Sequence, residues 1–264
     1  LDTICRPQTS EYHLKKRMTL QPPSLKSVPQ HVALIMDGNG RWAEAKGKSR
    51  IERHQEGAQS VRAILRAAAA TGVEVITVYA FSTENWKRPP KEIEGLMKLL
   101  IESLNTYEQE LHDSQIRLRI MGQLERLPTP VRKRIEKTMR ETEHYAKHTL
   151  VIALSYGARA EITHATQQIA QAISNGTLKP NEITEDHITN NLYLPDLPNP
   201  ELMIRTSGEV RLSNFMLWQL SYAEIIVTDT FWPEFREPQF YEALQQFERR
   251  KRRFGALDSN KGSS

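Results

Sequence analysis

A carboxylate stands where an apolar run meets a glycine turn: in HVALIMDGNGRW, residues 31–42, Asp37 immediately precedes Gly38, Asn39 and Gly40. Glycines expose backbone N–H groups, and a helix beginning just after them adds the positive end of its dipole, so such a turn favours phosphate. Asp37 alone would repel it. A divalent cation between the two resolves the conflict, because Mg²⁺ commonly uses one or two carboxylates together with phosphate oxygens. The plainer alternative is Asp37 as a helix N-cap. Arg41, Arg50 and His54 follow closely and can grip the same anion, arginine through its forked donors; a histidine there is equally an ordinary helix-start residue.

A second cationic turn lies far downstream in IRTSGEVRLSN, where Arg205, Arg211 and Ser213 surround Ser207, Gly208 and Glu209. Two separate basic, hydroxyl-bearing turns suggest two phosphorylated substrates. Glu224 is a candidate second carboxylate for the metal, or else a structural partner for an arginine. Two familiar nucleotide motifs fit poorly. Gly38, Gly40 and Ala43 satisfy G-x-G-x-x-A formally, but Arg41 and Trp42 are bulky where that fingerprint needs close packing. Gly47, Lys48 and Ser49 resemble the end of a Walker A loop, whose partner glycine would have to stand at Trp42.

The elements that must position these residues follow from periodicity. Apolar, partly β-branched runs at 31–36, 74–80, 116–121, 149–155, 201–205 and 224–228 predict six strands. Helical spacing predicts helices at 54–71, 91–112, 130–147, 158–175 and 237–253. In the second of these, Ile93, Leu96, Met97, Leu100, Leu104, Tyr107 and Leu111 form one apolar face, either an ordinary core face or the wall of a channel. Strands alternating with helices predict an α/β fold, a central, mostly parallel six-stranded sheet flanked by helices in a single domain. Ligands in such sheets bind beyond the carboxyl ends of the strands. Asp37, FSTENWKRP, YGARAE, RTSGEVRLSN and DTFWPEF each follow a predicted strand, so all should meet on one rim.

Composition bounds the rest. The chain has 264 residues, 39% hydrophobic, with net charge +4, which suits an anionic partner without choosing among metabolite, membrane and nucleic acid. Its single cysteine, Cys5, excludes an intrachain disulfide and a cysteine metal site. No run approaches the roughly 18–20 apolar residues of a membrane span, so a cytoplasmic protein is expected. Basic clusters at HLKKR and Arg249 to Arg253 are solvated faces or anion contacts. Residues 1–28 read as a flexible arm, 29–254 as the catalytic domain and 255–264 as a flexible tail.

Together HVALIMDGNGRWAEAKG, VYAFSTENWKRP, LSYGARAEI and IRTSGEVRLSNFMLWQLSYAEIIVTDTFWPEF resemble the cis-prenyltransferases, most closely the bacterial undecaprenyl diphosphate synthases, in order from about His31 to Gly255. The resemblance implies a Mg²⁺-dependent homodimer that adds isopentenyl diphosphate repeatedly to farnesyl diphosphate, making a long lipid carrier for cell-wall synthesis. It implies that Asp37 is the metal-linked carboxylate and that Gly38, Asn39, Gly40, Arg41, Trp42, Arg50 and His54 hold the allylic diphosphate. Ser82, Thr83, Glu84, Asn85, Trp86 and Arg88 would belong to a loop closing over the site. Asn85 occupies the family's proton-acceptor position, although a neutral amide is a poor base and is better suited to orienting a water or a phosphate oxygen. Arg205, Arg211, Leu212 and Ser213 would bind isopentenyl diphosphate, and Glu224 would share the metal with Asp37. A growing hydrocarbon needs an apolar tunnel, for which helices 54–71 and 91–112 are the candidates. Peripheral contact with the inner membrane surface would follow from the lipid product.

Three positions depart from the family pattern: Arg53 stands for the usual Gly, Ala158 for the second Gly of YGGR, and Glu201 for Asp. The absence of adjacent aspartates argues against the all-helical trans-prenyltransferases and terpene synthases. Competing readings are a non-catalytic subunit of a heteromeric cis-prenyltransferase, which the intact Asp37, Asn85, Arg205, Arg211 and Glu224 disfavour, and a basic nucleic-acid binder, for which no aromatic recognition pattern is evident.

Overall fold

The computed structural model describes residues 21–250, the side chains at 50 and 51 excepted. Cys5, the HLKKR cluster, the tail 255–264 and the last residues of the expected helix 237–253 lie outside that range.

Six strands form one sheet: β1 (His31–Ile35), β2 (Val75–Ser82), β3 (Ile116–Met121), β4 (His148–Tyr156), β5 (Leu202–Arg205) and β6 (Glu224–Val227). Their order is β3-β4-β2-β1-β5-β6, and every described pairing is parallel. A parallel sheet must be covered on both faces. Helices α2 (Arg50–Thr71), α3 (Pro90–Asp113), α4 (Thr129–Thr142) and α7 (Glu237–Arg249) pack apolar side chains into one core with Val32, Leu34 and Ile76. On the other face, Ala33, Val151 and Met203 pack with Tyr156, Phe215 and the start of α5 (Ala158–Ser174). The last residues of the expected arm belong to the fold, since Leu25 and Val28 pack against the first core.

Two short helices lie outside those that periodicity predicts: α1 (Asn39–Lys46) and α6 (Glu185–Thr189). The junction of α1 and α2 accounts for the Walker-like triplet. Gly47, at φ +61°, ends α1, and Ser49 begins α2 with a reciprocal capping box to Glu52, two orphan helix donors satisfied at once. Helix α4 stops at Thr142 rather than 147, because the chain must turn to enter β4 at His148.

The strand order places β1 between β2, which the chain enters next, and β5, which it enters on the other side only after β3 and β4. That reversal opens a crevice beyond the end of β1, where Asp37 lies. A bulge in β2, where the register passes from Tyr79↔Ala153 to Phe81↔Leu154, leaves Ala80 unpaired. It returns Phe81 to the face of Val78 and re-aims the strand end that leads into Ser82 and Thr83.

Candidate active site

The turn after β1 requires glycine. Gly38 has φ +93°, and a Cβ there would lie 2.7 Å from the Phe231 ring and 2.8 Å from Ser207 Cβ. Gly38 is the residue that caps α1, without a side-chain hydrogen bond, so Asp37 is not the cap. Its carboxylate faces the rim instead. Oδ2 accepts from Arg205 Nη2 at 2.8 Å, Oδ1 accepts from the Gly38 N–H at 2.7 Å, and Arg41 Nη2 lies 3.9 Å from Oδ1. Thr206 locks the backbone beneath: its hydroxyl accepts from the Asp37 N–H at 2.9 Å and donates to the Asp37 carbonyl at 2.7 Å.

Arg205 ends β5 and is buried, 4% exposed. Besides Asp37 its guanidinium donates to Ser213 Oγ at 2.9 Å and to the Arg211 carbonyl, whereas its Nε finds no acceptor. A buried charge held by one carboxylate is costly to orphan, by about 3–5 kcal/mol. The second cationic turn therefore docks directly onto the first. Glu209 completes the joint, with Arg211 Nη1 at 2.7 Å on one oxygen and Arg41 Nη2 at 3.4 Å on the other. Ser207 sits at φ +78° with its buried hydroxyl unpartnered, backbone strain of the kind that accumulates at functional sites.

The segment after β2 is a 3₁₀ turn, Thr83–Lys87. Asn85 Oδ1 accepts from the Ser82 N–H at 3.1 Å, so the amide oxygen is engaged in capping and suits an orienting role better than that of a base. Trp86 donates to Ser155 Oγ at 2.9 Å and meets Phe81 edge to face. Glu84 accepts from Asn214 Nδ2 at 2.9 Å and from Thr83 Oγ1 at 3.2 Å. Burial pushes its carboxyl up, but these hydrogen bonds hold it below its ordinary value. Gly157 closes the joint between β4 and this turn, since a Cβ there would lie 2.6 Å from Thr83 Oγ1.

Beneath the rim a cavity of about 800 Å³ runs between α2 and α3 along the sheet. Asp37, Gly38, Asn39, Gly40, Arg53, His54, Asn85, Arg88 and Glu92 surround its mouth, while Val61, Leu65, Leu96, Leu100, Ser103, Leu104 and Leu150 line its depth. The apolar face of α3 thus borders this cavity as well as the first core.

Two expected residues are placed elsewhere. Trp42 points inward, 7% exposed, with its indole N–H on Glu234 Oε1 at 3.2 Å. Glu224 is the first residue of β6, opposite Leu202 at the start of β5, and Arg250 Nη1 lies 2.7 Å from its carboxylate. Asp37 and Arg205 stand at the other end of the strands, about 10 Å away at 3.3 Å per residue. Within one chain, Glu224 is thus an arginine partner and does not join Asp37. Leu212 packs in the second core, and the Arg50 side chain lies outside the described residues. Thr206 and Glu92 were not singled out from sequence, and Glu209 was named only as part of the second turn. Glu92 was the most accessible of them, four residues beyond Arg88 in a helix-start pattern.

Among the described residues no cluster of three or more His, Cys, Asp or Glu forms a metal cage. A single carboxylate, one-third exposed, at the mouth of an anion-binding turn fits a metal that arrives with a diphosphate and completes its shell from phosphate and water.

The family model for undecaprenyl diphosphate synthase matches residues 35–255. An isoprenyl transferase of Bacillus cereus is 46% identical over 230 residues, 87% of this chain and 89% of its own. The ditrans,polycis-undecaprenyl-diphosphate synthase ((2E,6E)-farnesyl-diphosphate specific) of Micrococcus luteus is 43% identical over 248 residues, 93% of this chain and 100% of its own. Among solved structures, lavandulyl diphosphate synthase from Lavandula x intermedia, in complex with dimethylallyl diphosphate, superposes with TM-score 0.84 at 33% identity, covering 86% of this chain and 98% of that one. With a family model matched over residues 35–255 and a relative 46% identical over 87% of the chain, the chain belongs to the undecaprenyl diphosphate synthase family of prenyltransferases.

Proposed function

We propose that this chain is a cis-prenyl chain-elongating transferase that condenses isopentenyl diphosphate repeatedly onto farnesyl diphosphate, yielding a long polyprenyl, undecaprenyl-type, diphosphate. The observation that carries the reading is the apolar cavity opening at the Asp37–Gly40 turn: a charged mouth for the diphosphate above an apolar bore for its chain. From His54 to Ala69 on α2 the bore runs about 22 Å at 1.5 Å per residue.

In this reading the N–H groups at the start of α1, with Arg41, Arg50 and His54, hold the allylic diphosphate. Arg205, Arg211 and Ser213 hold isopentenyl diphosphate on the adjoining turn. Asp37 would hold Mg²⁺, which supplies charge neutralisation for the departing diphosphate. Fixing both substrates side by side converts an encounter into a positioned reaction, and the preset N–H and guanidinium donors meet the charge that develops on the leaving group without reorganisation. The 3₁₀ turn carrying Asn85 and Trp86, with Arg88 just after it, borders both sites and acts as their cover. Asn85 orients the oxygen that takes the proton.

A homodimer is supported by the β6 edge of the sheet, which pairs with no further strand among the described residues and where Ile225 is 42% exposed and Tyr222, three residues before it, 77%; sedimentation at twice the monomer mass is expected. No helix of the described residues is long and apolar enough to cross a membrane, and peripheral contact through the lipid product is the proposed association. The test of the function is incubation with farnesyl diphosphate, labelled isopentenyl diphosphate and Mg²⁺, with and without EDTA. A metal-dependent long polyprenyl product is expected; no product from folded protein would refute the reading.

A further inference from the structure

Arg53 is the residue of the phosphate-binding region that the family pattern does not account for, and the structure places it at the mouth of the cavity. Its guanidinium reaches over the glycine turn: Nη1 lies 3.5 Å from the position a Cβ would take on Gly40, at the start of α1. Its Nε points to His54 Nε2 at 3.4 Å. The side chain is 16% exposed, and its Nη2 lies 3.8 Å from Glu92 Oε1, the same oxygen that Arg88 Nη1 approaches at 3.4 Å. One carboxylate oxygen is thus shared by two guanidiniums. Both separations exceed the ~2.7–2.9 Å of a strong charge-assisted bond. The three side chains carry a net charge of one positive unit beside a helix N-terminus, on two helices and the 3₁₀ turn.

We propose that Arg53 is a further ligand of the allylic diphosphate, held over the turn by Glu92 and exchanging that carboxylate for phosphate oxygens when substrate enters. The inference rests on the placement of the diphosphate given above. A diphosphate bears more charge and more acceptor oxygens than the Glu92 carboxylate, and Arg53 stands on α2, whose first turn is fixed by the Ser49–Glu52 capping box. The exchange therefore needs a side-chain rotation and no movement of backbone. It also removes one of the two guanidiniums that share the Glu92 oxygen with Arg88, and so links occupancy of the allylic site to the covering turn.

The opposing account is that Arg53 and Glu92 merely tie α2 to α3. The two accounts differ in sign. Binding of farnesyl diphosphate alone, without isopentenyl diphosphate, is measured by calorimetry for wild type, Arg53→Gln, Arg53→Lys, Glu92→Gln and the double variant Arg53→Gln/Glu92→Gln, with thermal melts alongside. Arg53→Gln is expected to weaken binding and raise the farnesyl diphosphate KM about tenfold to a hundredfold, leaving the isopentenyl diphosphate KM unchanged, with Arg53→Lys intermediate. Glu92→Gln is expected to tighten binding in the wild-type background and to do so less when Arg53 is absent. Wild-type affinity in Arg53→Gln, or weakening by Glu92→Gln as well, would overturn the proposal while leaving the proposed function standing. Failure of the wild-type protein to bind farnesyl diphosphate would overturn both.

Discussion

The two ends of β1 carry polar residues in opposite conditions. At the start, His31 is 2% exposed; its Nδ1 lies 2.7 Å from the Pro198 carbonyl and its Nε2 2.7 Å from Thr77 Oγ1. Since a carbonyl can only accept, Nδ1 carries the proton and Nε2 receives the threonine hydroxyl, and the network closes on itself. At the other end, Asp37 is one-third exposed, Arg205 keeps a buried Nε without a partner, and Ser207 keeps a buried hydroxyl likewise. Six residues apart, the strand and the turn that follows it thus hold a satisfied structural joint and a charged site with buried polar atoms unpartnered. The same division separates the two ends of the whole sheet, because in parallel strands each backbone carries its successors to the same rim.

Perturbing the open end should cost chemistry, whereas perturbing the closed end should cost stability. Asp37→Ala is expected to lower turnover at least about a thousandfold in a protein that still folds but melts lower, because the buried Arg205 loses its carboxylate, measured by radiolabel incorporation and circular dichroism. Wild-type-like activity would remove the assigned role. Arg205→Ala should raise the isopentenyl diphosphate KM about tenfold to a hundredfold and also destabilise, since Asp37 loses its buried partner; an unchanged KM would strike Arg205 from the binding site. At the closed end the effect follows pH. Burial lowers the His31 pKa from 6.5 to about 4, so the unfolded chain binds the proton more readily than the folded one. Stability from this group is full above pH 6.5 and falls as pH drops toward 4, by about 3 kcal/mol in all. Urea melts across that range should show the slope, and His31→Gln should flatten it.

Periodicity revealed the six strands because buried parallel strands are continuous β-branched runs, as in EVITVYA and TLVIALS. It did not reveal α1, whose eight residues lie between two left-handed glycines, Gly38 and Gly47, nor the five-residue α6; both are set by turn geometry and tertiary contact. Asp37, Arg205 and Ser213 could be singled out as candidates because polar and charged residues after apolar strands have few structural uses, and the structure brings the three together. Trp42 was grouped with its polar neighbours, whereas the helical turn that carries Arg41 outward carries the next residue into the core. Glu224 could have been placed from the same strand rule that located the others: it begins its strand, whereas they follow theirs. The cavity was not legible, since an apolar helix face has the same spacing whether it meets side chains or space.

The claim that joins these observations is that the growing chain occupies the cavity beneath Asp37. Ser103 lies in the cavity wall, eleven residues along α3 from Glu92 and so about 16 Å below the mouth at 1.5 Å per residue. Chain-length analysis of the lipid made by wild type, Ser103→Ala and Ser103→Trp tests the claim most directly. Ser103→Trp should stop elongation several units early while the first condensation proceeds at the wild-type rate, and Ser103→Ala should give the wild-type length. Product of wild-type length from folded Ser103→Trp would contradict it.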